Sequence, residues 1–238
     1  TILQICQERG IKIPTLCYHK SLVPESRCRV CLVEMNKKLV TSCSAHPIEN
    51  CEIITSNSKI KKSRKRNLEL VSPSINPDEL SDDFEAREIY EQVGLDNKRF
   101  EKIVDYHPDL GASLIRDNNK CINCGRCVQV CSKIQEVFAI DFASRAHNEH
   151  VTPHDEKKLA EVACIRCGQC LINCPVGAIK ERSHIEEVRA ALKNPKKHVV
   201  AQTAPAIRAA LGEMFDMAPG TLVTGKMVSS LRKMGFDR

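Results

Sequence analysis

The chain has 238 residues and a net charge of +6; 42% of its residues are hydrophobic, only 4% are aromatic, and 14 are cysteine. No apolar run approaches the roughly 18 residues that a membrane-spanning helix requires, which excludes a membrane-spanning protein. We therefore expect a cytoplasmic protein without a signal peptide, whose thin aliphatic cores are stabilised by bound metal. A secreted disulfide scaffold is the alternative explanation of so many cysteines.

The N-terminal part of the chain is predicted to be a small β-rich domain over residues 1–56. TILQICQERG predicts a short helix that ends at Gly10. The segments CRVCLVEM, KKLVTSC and NCEIITS then alternate apolar and polar residues and are rich in β-branched side chains, which favours strands.

The densest basic segment is KIKKSRKR, residues 59–66. It lacks the interleaved aromatic residues typical of nucleic-acid binding and leads directly into NLELV. We interpret it as the solvated start of a helix, with docking of an acidic redox partner as the alternative and no nucleic-acid partner expected.

Residues 57–117 are predicted to form a helical connector, because SPSINPDEL supplies turn residues and DDFEAREIYEQVG spaces its apolar residues as a helix does before Gly94. Residues 185–238 are predicted to begin an α/β unit. There, IEEVRAALKNP indicates a helix ended by Pro195, HVVAQTA a buried strand, and PAIRAALGEMF a helix opened by Pro205.

A repeated cysteine motif lies between these two parts, in residues 118–184. KCINCGRCVQVCSKIQ and ACIRCGQCLINCPVGAI share the spacing C-x2-C-x2-C-x3-C. Three closely spaced cysteines hold three corners of a 4Fe-4S cluster, and in two-cluster bacterial ferredoxins the fourth ligand comes from the other copy. Structural zinc is the alternative. The predicted ligand sets are Cys121, Cys124, Cys127 and Cys174 for one 4Fe-4S cluster, and Cys131, Cys164, Cys167 and Cys170 for the other.

The N-terminal cysteines follow a different spacing, C-x10-C-x2-C-x11-C, formed by Cys17, Cys28, Cys31 and Cys43. Four thiolates spread over loops of a β-rich domain suit a 2Fe-2S cluster, although the first gap is longer than in plant-type ferredoxins. The remaining pair is expected to be buried packing residues: Cys6 in a helix and Cys51 in a strand.

The segments IPTLCYHKS, CRVCLVEM, LVTSC and RDNNKCINCGRCVQVCSKIQ resemble the N-terminal electron-transfer region of iron-only (FeFe) hydrogenases, and the first part is similar to the large iron–sulfur subunit of complex I. VVAQTAPAIRAALGEMF and GTLVTGKMVSSLRKMGFD resemble the opening of the hydrogenase catalytic domain. The resemblance implies an α+β, multi-domain chain: a β-grasp 2Fe-2S ferredoxin-like domain without its N-terminal strands, the helical connector, a bacterial two-4Fe-4S ferredoxin domain, and the start of an α/β catalytic domain.

Three positions depart from the family pattern. Where many relatives carry a His and three Cys for an extra 4Fe-4S cluster, this chain has SPSINPDELSDDFEAREIYEQVGL, so we expect a packed helix there instead. The segment PESRC, which ends at Cys28, stands where relatives usually have Gly, which is expected to change backbone N–H donation to the 2Fe-2S sulfurs. In the first run, Ser132 stands where the ferredoxin pattern has a proline after the last cysteine, whereas the second run keeps that proline as Pro175. The serine is expected to loosen the backbone after Cys131.

The expected function is relay of single electrons between an external partner and a hydrogen-activating H-cluster, for reversible H2 oxidation and proton reduction. The H-cluster is expected only beyond residue 238, because no cysteine follows Cys174, and no catalytic residue is assigned within the chain. The 2Fe-2S centre would be the outer port. The expected partner is a redox protein, or a flavin/NADH-linked or formate-linked subunit of a hetero-oligomer, in an oxygen-sensitive, anaerobic setting. The alternative is a non-catalytic relay subunit of a larger NADH- or formate-linked oxidoreductase.

Overall fold

The computed structural model describes residues 1–73, 75, 76, 78, 80, 84–95, 100, 104–111 and 113–237. The chain divides into two compact units, Thr1–Arg182 and Ser183–Arg238. The predicted mixture of helices and small sheets is confirmed, whereas the finer domain boundaries stay predictions. Across the described ranges, no helix combines the length and apolar character needed to cross a bilayer.

The first unit begins with helix α1, Ile2–Glu8, which is capped at its N-terminus by the Thr1 hydroxyl and followed by Gly10 in a left-handed conformation. An antiparallel sheet follows in the order β2-β1-β3, as the alternating pattern predicts. Its strands are β1, Leu32–Met35, β2, Lys38–Thr41, and β3, Ile53–Ile54. Cys6 is buried on α1, as expected. The prediction for Cys51 was wrong on both points, because Cys51 lies outside the strands and is only half-buried. The Cys51 N–H donates to the Ile48 carbonyl in a turn before β3 (3.2 Å).

Helix α2, Ser58–Val71, contains the basic segment and begins where the Asn57 side chain accepts a hydrogen bond from Ile60 N–H (2.8 Å). The interpretation of this segment as fully solvated was wrong for Arg64, which is 8% exposed. Its guanidinium donates to the Leu32 carbonyl from Nε (2.9 Å) and from Nη2 (2.6 Å). Ile60, Arg64 and Leu68 recur every four residues, so Arg64 falls on the buried stripe of the helix.

Helix α3, Glu85–Val93, ends at Gly94, which adopts the left-handed conformation (φ 72°) typical of a helix C-terminus. This confirms the helix predicted there, although Asp82 and Asp83 of the predicted segment lie outside the described residues. The helix buries Ala86 and Tyr90. The Ala86 N–H donates to the Pro175 carbonyl (3.1 Å), which attaches α3 to the second cysteine run.

The repeat region is enclosed by two small antiparallel sheets. Strand β8 follows the second run and pairs with β5, which precedes the first run, so the two ends of the region meet. Each run contains one short helix. The elements are β4, Asp109–Leu110, β5, Leu114–Arg116, α4, Arg126–Gln129, β6, Ile140–Ala143, β7, His150–Pro153, α5, Gln169–Ile172, and β8, Ile179–Glu181; the sheets have the orders β4-β5-β8 and β6-β7.

The second unit contains α6, Ile185–Leu192, α7, Ile207–Ala210, which continues as a 3-10 turn, and α8, Thr224–Lys233. The helices predicted from IEEVRAALKNP and PAIRAALGEMF are confirmed, the second one in shortened form. The buried strand predicted from HVVAQTA was wrong: this segment is irregular and Val200 is 59% exposed. Val199 instead exchanges hydrogen bonds with Asp237, and residues 183–237 contain no strand with which the segment could pair.

Candidate metal centres

The structure buries the four N-terminal cysteines of the predicted 2Fe-2S set together. Cys17, Cys28, Cys31 and Cys43 are 5%, 2%, 1% and 0% exposed. The first two follow loops, the third directly precedes β1, and the last follows β2. The Cys17 N–H donates to Cys28 Sγ (3.5 Å), so one ligand sulfur at this site already accepts a backbone hydrogen bond.

Hydrogen bonds join these four thiols in two pairs. The Cys17 thiol donates to Cys28, and together with backbone N–H groups this lowers the pKa of Cys28 to about 6. The Cys31 thiol likewise lowers the pKa of Cys43 to about 6. The pKa values of Cys17 and Cys31 are raised, first by these bonds and then by burial. One sulfur of each pair is therefore readily a thiolate, the form that binds metal.

Ser26, in the segment PESRC, adds a hydroxyl to this group. Its backbone is left-handed (φ 56°), a conformation that glycine adopts without steric cost. Its hydroxyl lies 3.5 Å from Cys43 Sγ and 2.6 Å from Ser44 Oγ. Ser26 thus adopts a backbone conformation that favours glycine and places a hydroxyl beside a ligand sulfur.

The two cysteine runs of the repeat have the same backbone geometry. Asn123 and Gly125 in the first run are left-handed (φ 50° and 80°), as are Arg166 and Gly168 in the second (φ 56° and 74°). The Asn123 N–H donates to Cys121 Sγ at 3.4 Å, and the Arg166 N–H donates to Cys164 Sγ at the same distance. The internal repeat in sequence is therefore a repeat of loop structure with equivalent N–H donors to sulfur.

The runs line two cavities, and each cavity draws cysteines from both runs. One is lined by Cys121, Cys124, Cys127 and Cys174, together with apolar side chains. The other is lined by Cys131, Cys164, Cys167 and Cys170. These are the two sets that the ferredoxin spacing predicts, three cysteines from one run and one from the other.

Burial differs between the two cavities. Cys124 and Cys127 of the first are 8% and 9% exposed, whereas Cys167 of the second is exposed. Burial raises the pKa of Cys124 to about 12 and that of Cys170 to about 11. These thiols lose their protons only when a metal replaces them, so metal binding at these cavities releases protons.

The donor sets fit iron–sulfur clusters. All twelve side chains in the three sets are thiols, and the described part of the chain supplies N–H donors to several of the sulfurs, the pattern that stabilises clusters. Within the described residues, no three His, Cys, Asp or Glu side chains are arranged around a single metal ion. A cluster does not require that arrangement, because it distributes its thiolates over several irons.

Ser132 does not loosen the first run, contrary to the sequence expectation. Its N–H and side chain allow the helix to continue as a π-helical turn, Val130–Ile134, with the Ser132 hydroxyl donating to the Val128 carbonyl (2.8 Å). Ala139 N–H also donates to Cys131 Sγ (3.3 Å). The ligand sulfur is therefore held by a helical turn rather than by proline.

One hydrophobic core joins the 2Fe-2S set to the first cavity. Cys17, Cys28 and Cys124 pack into the same core as Tyr90, which is 1% exposed and whose hydroxyl lies 2.9 Å from Ser72 Oγ. Sequence reasoning assigned Tyr90 only to a helix face and gave no role to Arg126, which is 2% exposed and donates to the carbonyl of Tyr18, the residue after Cys17. Comparison of the two runs could have drawn attention to Arg126, because the second run has Gln169 at that place.

Comparison with known proteins agrees with this geometry. Residues 1–58 match the model of a 2Fe-2S iron–sulfur cluster binding domain, and residues 120–178 match that of a 4Fe-4S dicluster domain. Residues 197–238 match the C-terminal domain of the iron only hydrogenase large subunit. The chain is thus an iron–sulfur protein with two ferredoxin-type domains. It is recognised as the iron–sulfur region of the iron-only hydrogenase family, followed by the beginning of the C-terminal domain, which confirms the resemblance inferred from sequence.

Curated relatives agree with that family. NADP-reducing hydrogenase subunit HndD of Solidesulfovibrio fructosivorans is 39% identical over 250 residues, and Iron hydrogenase 1 of Clostridium pasteurianum is 35% identical over 248 residues; each alignment covers 100% of this chain and 43% of the relative. The chain thus spans less than half the length of these two relatives. A putative formate dehydrogenase of Staphylococcus haemolyticus is 30% identical over 189 residues, 76% of this chain and 19% of the relative.

A solved structure shares the fold. The crystal structure of an NAD+-reducing NiFe-hydrogenase in the H2-reduced state matches with a TM-score of 0.70 at 23% identity, covering 77% of this chain and 81% of that chain.

Proposed function

We propose that this chain is the electron-relay region of an iron-only hydrogenase, with one 2Fe-2S and two 4Fe-4S centres between an external redox partner and a hydrogen-activating site. The observation that carries the proposal is the pair of cavities, each lined by four cysteines of which three come from one run and one from the other. When bound, such clusters accept and release single electrons.

We assign the ligands accordingly. The 2Fe-2S centre takes Cys17, Cys28, Cys31 and Cys43; the first 4Fe-4S centre takes Cys121, Cys124, Cys127 and Cys174; the second takes Cys131, Cys164, Cys167 and Cys170. The corresponding domains are a β-grasp 2Fe-2S domain over 1–56, a helical connector over 57–117, a two-4Fe-4S ferredoxin domain over 118–184 and the start of a catalytic domain over 185–238.

The protein's own residues keep the ligand sulfurs away from water and supply hydrogen bonds to them. Asn123, Ala139 and Arg166 each donate a backbone N–H hydrogen bond to one ligand sulfur. The shared core that contains Cys28, Tyr90 and Cys124 brings the first two sites close together without intervening solvent. Electrons would enter at the 2Fe-2S site and leave the second 4Fe-4S site towards the catalytic domain.

The activity of the whole protein would be reversible oxidation of H2 and reduction of protons at an H-cluster held by residues beyond 238. Its partner would be a redox protein, or a flavin/NADH-linked or formate-linked subunit of a cytoplasmic hetero-oligomer. No cysteine lies between Cys174 and Arg238.

Crossed ligand substitutions test the cluster assignment. After anaerobic reconstitution with iron and sulfide, Cys174→Ser should alter the paramagnetic signal that Cys121→Ser alters, although the two residues lie in different runs. Cys131→Ser should alter the other 4Fe-4S signal, together with Cys164→Ser. Assignment of Cys174 and Cys164 to the same signal would contradict the crossed arrangement, and a colourless protein without acid-labile sulfide would contradict the function.

The second candidate is a relay subunit of a formate-linked oxidoreductase, which is supported by the 30% identity to a putative formate dehydrogenase over 76% of this chain. Purified natural protein, assayed with H2 and with formate, distinguishes the two. We expect turnover with H2, and we expect Cys170→Ser to abolish electron delivery from the physiological partner to the hydrogen site. Turnover with formate alone would favour the second candidate.

A further inference from the structure

The two cysteine runs differ in charge at two equivalent positions of their x2-x2 loops: the second run has an exposed Arg166 where the first has Asn123, and the first has a buried Arg126 where the second has no charge. Between the second and third cysteines the first run reads CGRC and the second reads CGQC, so Arg126 and Gln169 correspond. Both residues begin a short helix after a left-handed glycine. Arg126 is 2% exposed, whereas Gln169 is half-buried. Two loops of equivalent backbone thus differ by a buried cation.

The Arg126 side chain extends from the first 4Fe-4S site to the 2Fe-2S domain. Its Nη2 donates to the Tyr18 carbonyl (2.6 Å), and Tyr18 directly follows Cys17 in the chain. Its Nη1 and Nη2 also donate to the two carboxylate oxygens of Glu85 (3.1 and 2.9 Å). The guanidinium is therefore held in one place by a forked contact and a backbone carbonyl.

The Glu85 carboxylate balances the Arg126 guanidinium only in part, because water screens the carboxylate more strongly. The Glu85 side chain is 57% exposed, compared with 2% for Arg126. Water screens an exposed carboxylate more effectively than a buried guanidinium, so a net positive field persists inside the core. That field acts at the first 4Fe-4S site, because Arg126 directly precedes Cys127 and follows Cys124 by two residues.

We propose that Arg126 is a positioning residue that makes the first 4Fe-4S site easier to reduce than the second, because it places a buried positive charge where the second run has the uncharged Gln169. This rests on the proposed function. An added electron makes a cluster more negative, and hydrogen bonds and net charge near the sulfurs set its potential. The step concerned is the reversible exchange of one electron between the two sites: the site that loses it is oxidised and the site that gains it is reduced, no bond forms or breaks, and no proton moves.

Redox titration followed by electron paramagnetic resonance tests this inference on the reconstituted protein, with dithionite as reductant. Arg126→Gln gives the first run the residue that the second already has. We expect the equilibrium constant for electron sharing to shift at least tenfold away from the first 4Fe-4S centre, which corresponds to 59 mV for one electron. Arg189→Gln, which removes an exposed charge in the second unit, is the matched control and should leave the potentials unchanged.

Glu85→Gln should shift the potential of the first 4Fe-4S centre in the opposite direction to Arg126→Gln. It removes the counter-charge and leaves Arg126 in place, so the potential of the first 4Fe-4S centre should rise. A purely structural defect would not move the potential in opposite directions in the two variants. Gln169→Arg should raise the potential of the second centre and reduce the difference between the two.

The outcomes separate this inference from the function on which it rests. Unchanged potentials in Arg126→Gln protein that retains all its centres would overturn the inference, as would shifts of the same sign in Arg126→Gln and Glu85→Gln. If the Arg126→Gln protein does not assemble its clusters, the directions of the potential shifts in Glu85→Gln and Gln169→Arg test the inference. A shift opposite to the expected rise in either variant would overturn it. Absence of acid-labile sulfide from the unsubstituted protein would overturn the proposed function and the inference together.

Discussion

Gln129 holds Val23 through both ends of its side-chain amide: the Val23 N–H donates to Gln129 Oε1 and Gln129 Nε2 donates to the Val23 carbonyl, each at 3.0 Å. The contact joins the loop before Cys28 to α4, the short helix that contains Cys127. Arg27 strengthens it by donating to the Asn123 carbonyl (2.8 Å) and pairing with Glu149. The 2Fe-2S domain is thus attached to the first cysteine run by hydrogen bonds as well as by the shared core.

Gln129→Leu should weaken this attachment. Gln129 is 3% exposed, and its replacement removes two hydrogen bonds, at a cost of about 1–3 kcal/mol. We expect a lower midpoint of thermal unfolding and faster proteolysis in the loop that contains Val23. Gln92→Leu, at an exposed position on α3, is the control. Equal midpoints for the two variants would show that the amide contact contributes nothing.

Arg64→Leu should destabilise the N-terminal domain. The substitution leaves the Leu32 and Thr55 carbonyls without their charged donor, and hydrogen bonds to charged groups contribute about 1.5–3 kcal/mol each. Because Leu32 follows Cys31, visible absorption from the 2Fe-2S centre should be lost at a lower temperature. Lys62→Leu on the exposed side of α2 is the matched control, and a loss as early in that variant would contradict the prediction.

These two arginines show what the sequence could and could not predict. Cysteine spacing predicted which sulfurs line each cavity, because the backbone of a C-x2-C loop restricts where its two sulfurs can lie. Arg64 and Arg126 could not be found in the same way, because a charged residue is normally solvated and only its tertiary partners make burial favourable. Val199 shows the opposite failure: an apolar run predicts a strand only if another strand lies beside it.

Gly177→Ala should be more harmful than Gly168→Ala. Both glycines are left-handed (φ 65° and 74°), so each substitution costs about 1–2 kcal/mol in backbone strain. At Gly177 the added Cβ would also lie 2.5 Å from Cζ of Phe84, whereas at Gly168 nothing lies within 4 Å. Overpacking should add about 1–3 kcal/mol at Gly177 alone. Thermal unfolding measures the difference, and equal midpoints would contradict the predicted clash.

Ser26→Ala and Ser26→Gly separate two effects of Ser26. Both remove the hydroxyl that lies 3.5 Å from Cys43 Sγ, so both should make the potential of the 2Fe-2S centre more negative. Only Ser26→Gly relieves the left-handed backbone, which should make it about 1 kcal/mol more stable than Ser26→Ala. Potentiometric titration and thermal unfolding test the two parts, and an unchanged potential in both variants would refute the hydroxyl's role.

The way in which the two cavities share cysteines limits how this region can be divided. Each run supplies three of the four cysteines that line one cavity and the fourth cysteine of the other cavity. Neither run therefore forms a complete site by itself. A truncation between β6 and β7 would therefore open both cavities rather than spare one.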